Sequence, residues 1–199
     1  MEQLILTVIL TSVPLIFAAS GELIAERSGV LNLGVEGMML MGAVSAFAIA
    51  MGTSSPILGM FAGAFAGALT AGIFAFFALG LATNQVATGL ALTIFGTGLS
   101  GLIGAPLVGH AIDGLPQIHI PLLADIPILG MLLFQHDIMV YLAVIMVGLC
   151  AWVLNATRVG LIIRAVGDNH DSAHALGYSV LGVRLLTVMF GGMMAGLGG

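Results

Sequence analysis

Residues Thr157–Ser179, TRVGLIIRAVGDNHDSAHALGYS, form a polar interruption between long apolar segments. They contain two of the four arginines in the chain, together with two aspartates and two histidines. Within them, Asp168 or Asn169 is a suitable helix N-cap, and Gly177 is a suitable C-terminal stop about two turns later. Polar residues between segments long enough to cross a bilayer predict a loop outside the lipid that carries a short helix.

The composition on either side of this loop is that of a membrane protein. The chain has 199 residues, of which 60% are hydrophobic and 7% are charged, whereas soluble domains carry about 25% charged residues. It has no lysine and a net charge of −5, so it lacks the basic surface that nucleic-acid binding requires. The single cysteine, Cys150, excludes an intramolecular disulfide.

Six segments approach the roughly 20 apolar residues needed to cross the hydrocarbon core. They are Leu4–Ile24, Leu31–Met51, Pro56–Ala82, Val86–Val108, Ile138–Leu154 and Val180–Gly199. We therefore predict an all-α, polytopic transmembrane helix bundle. The longer connector, residues 106–137, contains an apolar piece, Ile126–Phe134, that is too short to span and is predicted to lie at the membrane interface. The last span reaches Gly199 without a polar flank, so we expect further spans beyond it.

The arginines predict an orientation, because cytoplasmic loops are enriched in Lys and Arg. If Arg158 and Arg164 are cytoplasmic, alternation of the spans places Arg27 on the same side and Arg184 about one turn into the last span from that side. The N-terminus and the connector 106–137 are then outside, and the loop 157–179 is cytoplasmic.

Small residues recur at helical spacing in two spans. Gly59, Gly63, Gly67 and Ala71 form one such face, and Gly192 and Gly196 form another. Faces of this kind allow helix backbones to approach closely within a membrane. We expect them to pack against other helices of the bundle, with a face that moves during transport as the alternative.

The sequence contains no catalytic constellation and no Walker A motif. We therefore expect neither catalytic residues nor ATP hydrolysis in this chain. His170 and His174 have the spacing of two metal ligands on one helix face, but no third ligand accompanies them. Three further histidines in the connector fit no compact ligand motif. We predict no metal site and no cofactor.

Ionisable groups near or inside spans are candidates for function, because they are costly in lipid. Glu22, Glu26, Arg27 and Glu36 cluster around the predicted inner end of the first two spans. Glu36 is the deepest, about a turn and a half into the second span. It is predicted to line or gate a pathway, or else to have a structural role, either in an ion pair with Arg27 as the candidate partner or as a carboxylate at the helix N-terminus that the helix dipole favours. Asn32 is predicted to cap the same helix.

Three motifs give the chain a resemblance to the inner-membrane permeases of ABC importers. ERSGVLNLGVEGMMLMG (Glu26–Gly42) looks like the signature after the first span of the nucleoside and simple-sugar subgroup. NQVATGLALTIFGTGL (Asn84–Leu99) resembles the opening of a later span, and GLIIRAVGDNHDSAHALGYS (Gly160–Ser179) resembles the cytoplasmic loop of the family. In that loop His170 replaces a common proline, and His174 lies in a turn that is usually rich in Ala and Glu. Permeases of this family continue with more spans.

The resemblance implies a membrane permease that moves nucleosides, or less readily simple sugars, as part of a larger assembly. Two cytoplasmic ATPase subunits would bind ATP and Mg²⁺, a second permease subunit, commonly a different chain, would complete the pathway, and an extracytoplasmic lipoprotein would deliver the substrate. The residues implied in coupling to the ATPase are Asp168, Asn169, Ala173, Leu176 and Gly177. Candidates for the pathway or gate are Asn32, Glu36, Asn84 and Gln85.

Other functions stay open at the level of sequence. A branched-chain amino acid permease belongs to the same class, but the motif at Glu26–Gly42 argues against it. An ion-coupled secondary transporter would need charged or broken helices near mid-membrane, where this chain carries almost no charge. For the polar loop, a simple surface connector is the alternative to a helix that docks into a groove on a soluble partner.

Overall fold

A computed structural model of the chain describes residues 2–112, 114, 117–119 and 135–199. Long helices dominate these residues. They are α1 (Glu2–Arg27), α2 (Val35–Thr53), α3 (Pro56–Ala75), α4 (Gln85–Gly104) and α5 (Ile138–Ala156). Three more helices complete the described chain, namely the short α6 (Arg158–Asp168) and α7 (His170–Ala175) and the long α8 (Val180–Gly198). A π-helical turn, Phe76–Gly80, extends α3, and a 3₁₀ turn, Ala105–Leu107, extends α4.

The described residues include six helices long and apolar enough to cross a membrane, which confirms the six predicted spans. The fold class is therefore an all-α polytopic bundle. A two-stranded antiparallel ribbon, β1 (Gln117–His119) with β2 (Gln135–Asp137), is its one β element in the described part of the chain. The predicted interfacial piece Ile126–Phe134 lies outside the described residues.

The predicted start of the second span and the predicted end of the third span are wrong. The second span begins at Val35 rather than Leu31, because side chains from neighbouring segments hold the preceding backbone in a loop. The third span ends before Ala82, whose φ of +51° is outside the helical range. The chain turns there and re-enters the bundle at Gln85.

Helix α8 lies against α1, α2 and α3 at the centre of the bundle. The predicted glycine faces make this possible. A Cβ on Gly42 would lie 2.5 Å from the Cα of Gly196, and a Cβ on Gly67 would strike the backbone of Gly192 and Gly196. The glycines therefore pack backbone against backbone, as predicted. Around them the core is filled by fully buried side chains, namely Phe17, Phe74, Met38, Met194 and Val188.

All four arginines lie at one end of this bundle, which we call the arginine end. The backbone of α6 at Gly167 contacts that of Arg27 at the end of α1. The side chain of Arg184, near the start of α8, reaches the loop that follows α1. Arg158 and Arg164 belong to α6 itself.

The glycine contacts predict a test within α3. Gly67→Val should destabilise the bundle by about 1–3 kcal/mol or more, the usual cost of overpacking, because its Cβ would strike the backbone of α8. Gly72→Val is the matched control, since a Cβ on Gly72 would meet nothing within 4 Å. The melting temperatures of the two purified variants in detergent would be compared. Equal melting temperatures would contradict the close α3–α8 packing.

Candidate functional site

The loop between α1 and α2, residues 28–34, is the part of the arginine end with the densest polar contacts. The Leu31 amide donates to Oε1 of Gln85 at 2.8 Å. The Asn32 amide donates to Oε1 of Glu22 at 3.0 Å. Two backbone amides of the loop are thus held by side chains of α1 and α4.

A second set of contacts ties the same loop to α4 and α8. The hydroxyl of Thr93 donates to the carbonyl of Leu33 at 3.1 Å. The hydroxyl oxygens of Ser28 and Thr187 are 2.8 Å apart, and both side chains are buried. Nε of Arg184 donates to the Ser28 carbonyl at 3.1 Å. Because a hydrogen bond between buried groups is costly to break, the contacts of Ser28 fix the start of the loop on α8.

Close backbone approaches complete the junction. A Cβ on Gly89 of α4 would lie 2.8 Å from the Leu33 nitrogen. A Cβ on Gly167 of α6 would meet the carbonyl of Arg27, and Gly29 needs its left-handed φ of +81° to turn away from α1. The loop therefore contacts α1, α4, α6 and α8, and we call this set of contacts the loop junction.

Two buried polar atoms near this end have no hydrogen-bond partner within the described residues. They are Oε2 of Glu22 and Nε of Arg164. Glu22 uses its other oxygen to hold the Asn32 amide. A half-satisfied carboxylate inside a span is a candidate for function.

The four predicted pathway or gate residues do not share one surface. Asn32 and Gln85 meet at the loop junction, where Asn32 is buried and Gln85 is half-buried. Asn84 is exposed and caps α4, accepting from the Ala87 amide at 3.1 Å. Glu36 is exposed in the first turn of α2.

Two expectations about Asn32 and Glu36 are therefore wrong. The N-cap of α2 is Gly34, and Asn32 instead accepts from the Gly34 amide at 2.9 Å. Glu36 is not deep in the span, because α2 starts only one residue before it. Of the structural alternatives for Glu36, the ion pair with Arg27 does not form within the described residues, whereas its place in the first turn of α2 is the position that the helix dipole favours.

Sequence reasoning missed the pair of Ser28 and Thr187. Thr187 lies three residues after Arg184, so the two share a helix face, and together they form a polar patch on an otherwise apolar span. That spacing could have marked the face of α8 that contacts a polar loop. The spacing does not indicate which loop this face contacts, because that depends on the tertiary structure.

The predicted helix in the polar loop is confirmed as α7. The Asn169 side chain caps it, accepting from the Ser172 amide at 3.0 Å. Gly177, with φ of +87°, ends it. The Gly177 amide donates to the His174 carbonyl and the amide that follows it donates to the Ala173 carbonyl, which is the hydrogen-bond pattern of a Schellman motif.

Two residues of the α7 segment that were predicted to couple to a partner have opposite exposures. Ala173 is 2% exposed and packs inward, whereas Leu176 is 74% exposed. Asp168 is the last residue of α6 and is exposed. Leu176 is therefore the apolar side chain of this segment that a partner could reach.

Helix α6 was not predicted. Thr157 caps it by accepting from the Gly160 amide at 3.1 Å. Its buried positions, Gly160, Ile163 and Val166, recur at three-residue intervals and form one face. The arginines at other positions hide this pattern in the sequence, where residues 158–168 resemble only a flank of the helix at α7.

In the described part of the chain, no three His, Cys, Asp or Glu side chains converge on a possible metal site. His170 and His174 belong to α7, and the nearest charged partner of His170 is Asp171 at 3.5 Å. The connector histidines His119 and His136 have side chains outside the described set.

Comparison with known proteins gives one family model and several similar chains. Residues 4–199 match the family model described as branched-chain amino acid transport system / permease component. The chain is 40% identical over 189 residues to the putative glucose ABC transporter permease protein TsgC13 of Haloferax volcanii, covering 93% of this chain and 57% of that one. No solved structure matches the chain.

Two nucleoside permeases are also similar. The chain is 34% identical over 198 residues to the guanosine ABC transporter permease protein NupQ of Bacillus subtilis, covering 94% of this chain and 62% of that protein. It is 30% identical over 210 residues to the nucleoside ABC transporter permease protein NupC of Lactococcus lactis, covering 100% of this chain and 66% of that protein. The chain thus spans less than two thirds of the length of each of these relatives.

The buried hydroxyl pair predicts non-additive stability changes. Ser28→Ala and Thr187→Val should each destabilise the protein, and the double variant should fall short of their sum by about 0.5–3 kcal/mol, as for residues in contact. Thermal unfolding of the purified variants would measure this. As a control, Ser28→Ala combined with Thr97→Val, a change at an exposed position of α4, should be additive within about 0.5 kcal/mol. Additivity of the Ser28 and Thr187 changes would contradict the contact.

Proposed function

The chain belongs to the family of branched-chain amino acid transport system permease components, and from that premise we propose that it is the membrane-spanning permease of an ATP-driven ABC importer. The observation that carries the proposal is the likeness of nearly the whole chain to ABC permeases for nucleosides and glucose. The six apolar helices supply the required membrane domain.

For the substrate we propose nucleosides, with simple sugars as the second candidate. Two of the three relatives named above are nucleoside permeases by name, and the third, a glucose permease, has the highest identity of the three. Both substrates are small polar solutes. A branched-chain amino acid substrate has only the description of the family in its favour.

We propose that the arginine end faces the cytoplasm. This orientation is supported by the position of all four arginines at one end of the bundle, which is also what alternation of the six spans predicts from the sequence. Positive residues accumulate on the cytoplasmic side. The start of α1, the turn at Ser54 and the connector 106–137 would then lie outside, and α6 and α7 inside. In a bacterial or archaeal cell this membrane is the cytoplasmic membrane.

We further propose that α7 is the element through which a cytoplasmic ATPase acts on the permease. The partner would bind ATP and Mg²⁺, since this sequence lacks a Walker A motif. The support is the exposed Leu176 at the end of a helix that is capped at both ends and lies at the arginine end. A second permease subunit and an extracytoplasmic binding lipoprotein would complete the assembly.

For the predicted gate residues, the contacts support a role in holding the loop rather than in touching substrate. The side chains of Asn32 and Gln85 accept hydrogen bonds from amides of the α1–α2 loop. The side chain of Asn84 accepts a hydrogen bond from an amide of α4. Glu36 stays the candidate for direct contact with the pathway or a partner, because its carboxylate is exposed.

The orientation is tested by labelling with a thiol reagent that cannot cross the membrane. In a Cys150→Ala background, Ser172→Cys should react only with reagent supplied from the cytoplasmic side, and Ser54→Cys only from the outside. Both positions are exposed in the structure, so accessibility within the protein does not bias the result. The reverse pattern would overturn the orientation.

The function is tested by uptake of labelled guanosine and labelled glucose in cells that contain the complete transporter and in cells that lack it. Leu176→Glu should reduce uptake of the transported solute to background, because a charge would have to be buried in an apolar contact with the ATPase. Leu176→Met is the matched control, and it should retain uptake because the side chain stays apolar and similar in size.

Membrane insertion of both variants would be measured alongside uptake. Ala173 is unsuitable for this experiment, because a charged residue at that buried position would disturb α7 itself. Normal uptake by inserted Leu176→Glu would refute coupling through α7 while leaving transport intact. Absence of uptake for both solutes by the wild type would instead count against the proposed substrates.

A further inference from the structure

A cavity of about 570 Å³ opens at the arginine end between the turn after α3 and the start of α8. Its polar lining comes from three separate elements: Thr83 and Gln85 around the α3–α4 turn, His174 of α7, and Ser179 and Arg184 at the start of α8. Among the residues that the structure describes, those that line the cavity include no aspartate or glutamate. The chain has nine acids and only four arginines. A cavity whose described lining has an arginine and no acid is therefore more positively charged than the chain as a whole.

Apart from Thr83, the polar side chains that line this cavity offer hydrogen-bond donors. The rest of its described lining is apolar, namely Ala78, Leu79, Ala82, Val180 and Leu181. Nε of Arg184 donates a hydrogen bond to the Ser28 carbonyl. Within the described residues, the terminal nitrogens of Arg184 have no protein partner. Gln85 accepts from the Leu31 amide through Oε1, which leaves its amide nitrogen as the group free to donate. Ser179 accepts from the Gly182 amide through its oxygen, so its hydroxyl proton is also available.

Donors gathered around a cationic guanidinium complement an anion with several oxygens. Arginine binds phosphate through paired N–H groups, and the half-buried position of Arg184 is screened less by salt than a fully exposed one. The imidazole of His174 adds a donor from the wall formed by α7. The hydroxyl of Thr83 lies 2.9 Å from the Phe77 carbonyl and is already engaged there, so Thr83 shapes the cavity without supplying a donor.

Occupation of the cavity is compatible with the loop junction. Gln85 holds the α1–α2 loop through Oε1, and Arg184 holds it through Nε. An anion would use the amide nitrogen of Gln85 and the terminal nitrogens of Arg184 instead. Binding would therefore add partners to both side chains without breaking their existing hydrogen bonds.

We propose that this cavity is a binding site for a phosphate group, supplied either by an anionic phospholipid headgroup or by free phosphate. The bound group would join the α3–α4 turn to the start of α8 and to α7. The inference does not depend on the proposed transport function, because it rests on the lining of the cavity alone.

The test uses the purified full-length protein in two arms. In the first, inorganic phosphate is titrated by calorimetry into protein held in purely zwitterionic nanodiscs. In the second, native mass spectrometry counts phosphatidylglycerol and phosphatidylcholine retained from vesicles that contain both lipids. Binding in the first arm identifies free phosphate as a ligand, and selective retention of phosphatidylglycerol in the second identifies a headgroup. Either result supports the site if it depends on the lining residues.

A matched pair of variants tests whether binding depends on the residues that line the cavity. Thr83→Glu places a negative charge on the cavity wall, and Thr83→Gln has nearly the same shape without the charge. Thr83→Glu should weaken binding by roughly tenfold or more relative to Thr83→Gln, the scale of repulsion between like charges a few ångströms apart near a protein surface. Because the two variants lose the same native hydroxyl contacts, a folding defect would affect both.

Arg184→Gln should weaken binding at least as much as Thr83→Glu, because it removes the only arginine among the described residues that line the cavity. Equal binding by the two Thr83 variants would overturn the proposal. So would a wild-type protein that binds neither probe, or binding that Arg184→Gln leaves unchanged.

Discussion

A backbone that leaves its helix close to a membrane must find new hydrogen-bond partners, because lipid offers none. The α1–α2 loop meets this constraint with side chains, since Gln85 and Glu22 accept from the amides of Leu31 and Asn32. These partners come from α1 and α4, so the loop can form only when those helices are already in position. The start of α2 at Val35 follows from the same contacts.

The glycine packing of α8 and the loop junction depend on each other. Backbone contact between α8 and α3 at Gly67 and Gly192 brings α8 close to the bundle axis. Only from there can Thr187 and Arg184 reach Ser28. Dispersion contacts between small residues supply attraction along the spans, and the polar contacts at one end fix the rotation and depth of α8. An apolar bundle without such polar contacts would have many rotational settings of similar energy.

Local signals in the sequence predicted local structure well. Six spans were found because about 20 apolar residues are needed to cross a membrane, and α7 was found because Asn169 and Gly177 are cap residues whose partners lie within a few positions. The failures concern partners distant in sequence. Asn32 looks like an N-cap, but it accepts from the amide of Gly34, which lies in the α1–α2 loop. That loop is held by Gln85, which is more than fifty positions away in the sequence. Glu36 was placed too deep for the same reason. Helix α6 was missed because its buried face is defined by contacts with α1 and α5 that the pattern of charges hides.

Under the proposed function, the loop junction also explains how a force that the ATPase applies to α7 would reach the spans. Helix α6 connects directly to α7 and lies with Gly167 against the backbone at Arg27 and Gly29. Movement of α6 therefore presses on the loop that joins α1 to α2. The loop in turn is bonded to α4 through Gln85 and to α8 through Ser28. Since these contacts are short and direct, a displacement at α7 would be shared by four spans rather than absorbed by a flexible connector. Coupling of this kind requires contiguous contacts that have two arrangements. Under the proposed function, a second arrangement would form where small residues of α3 and α8 meet, because no long side chains interlock there.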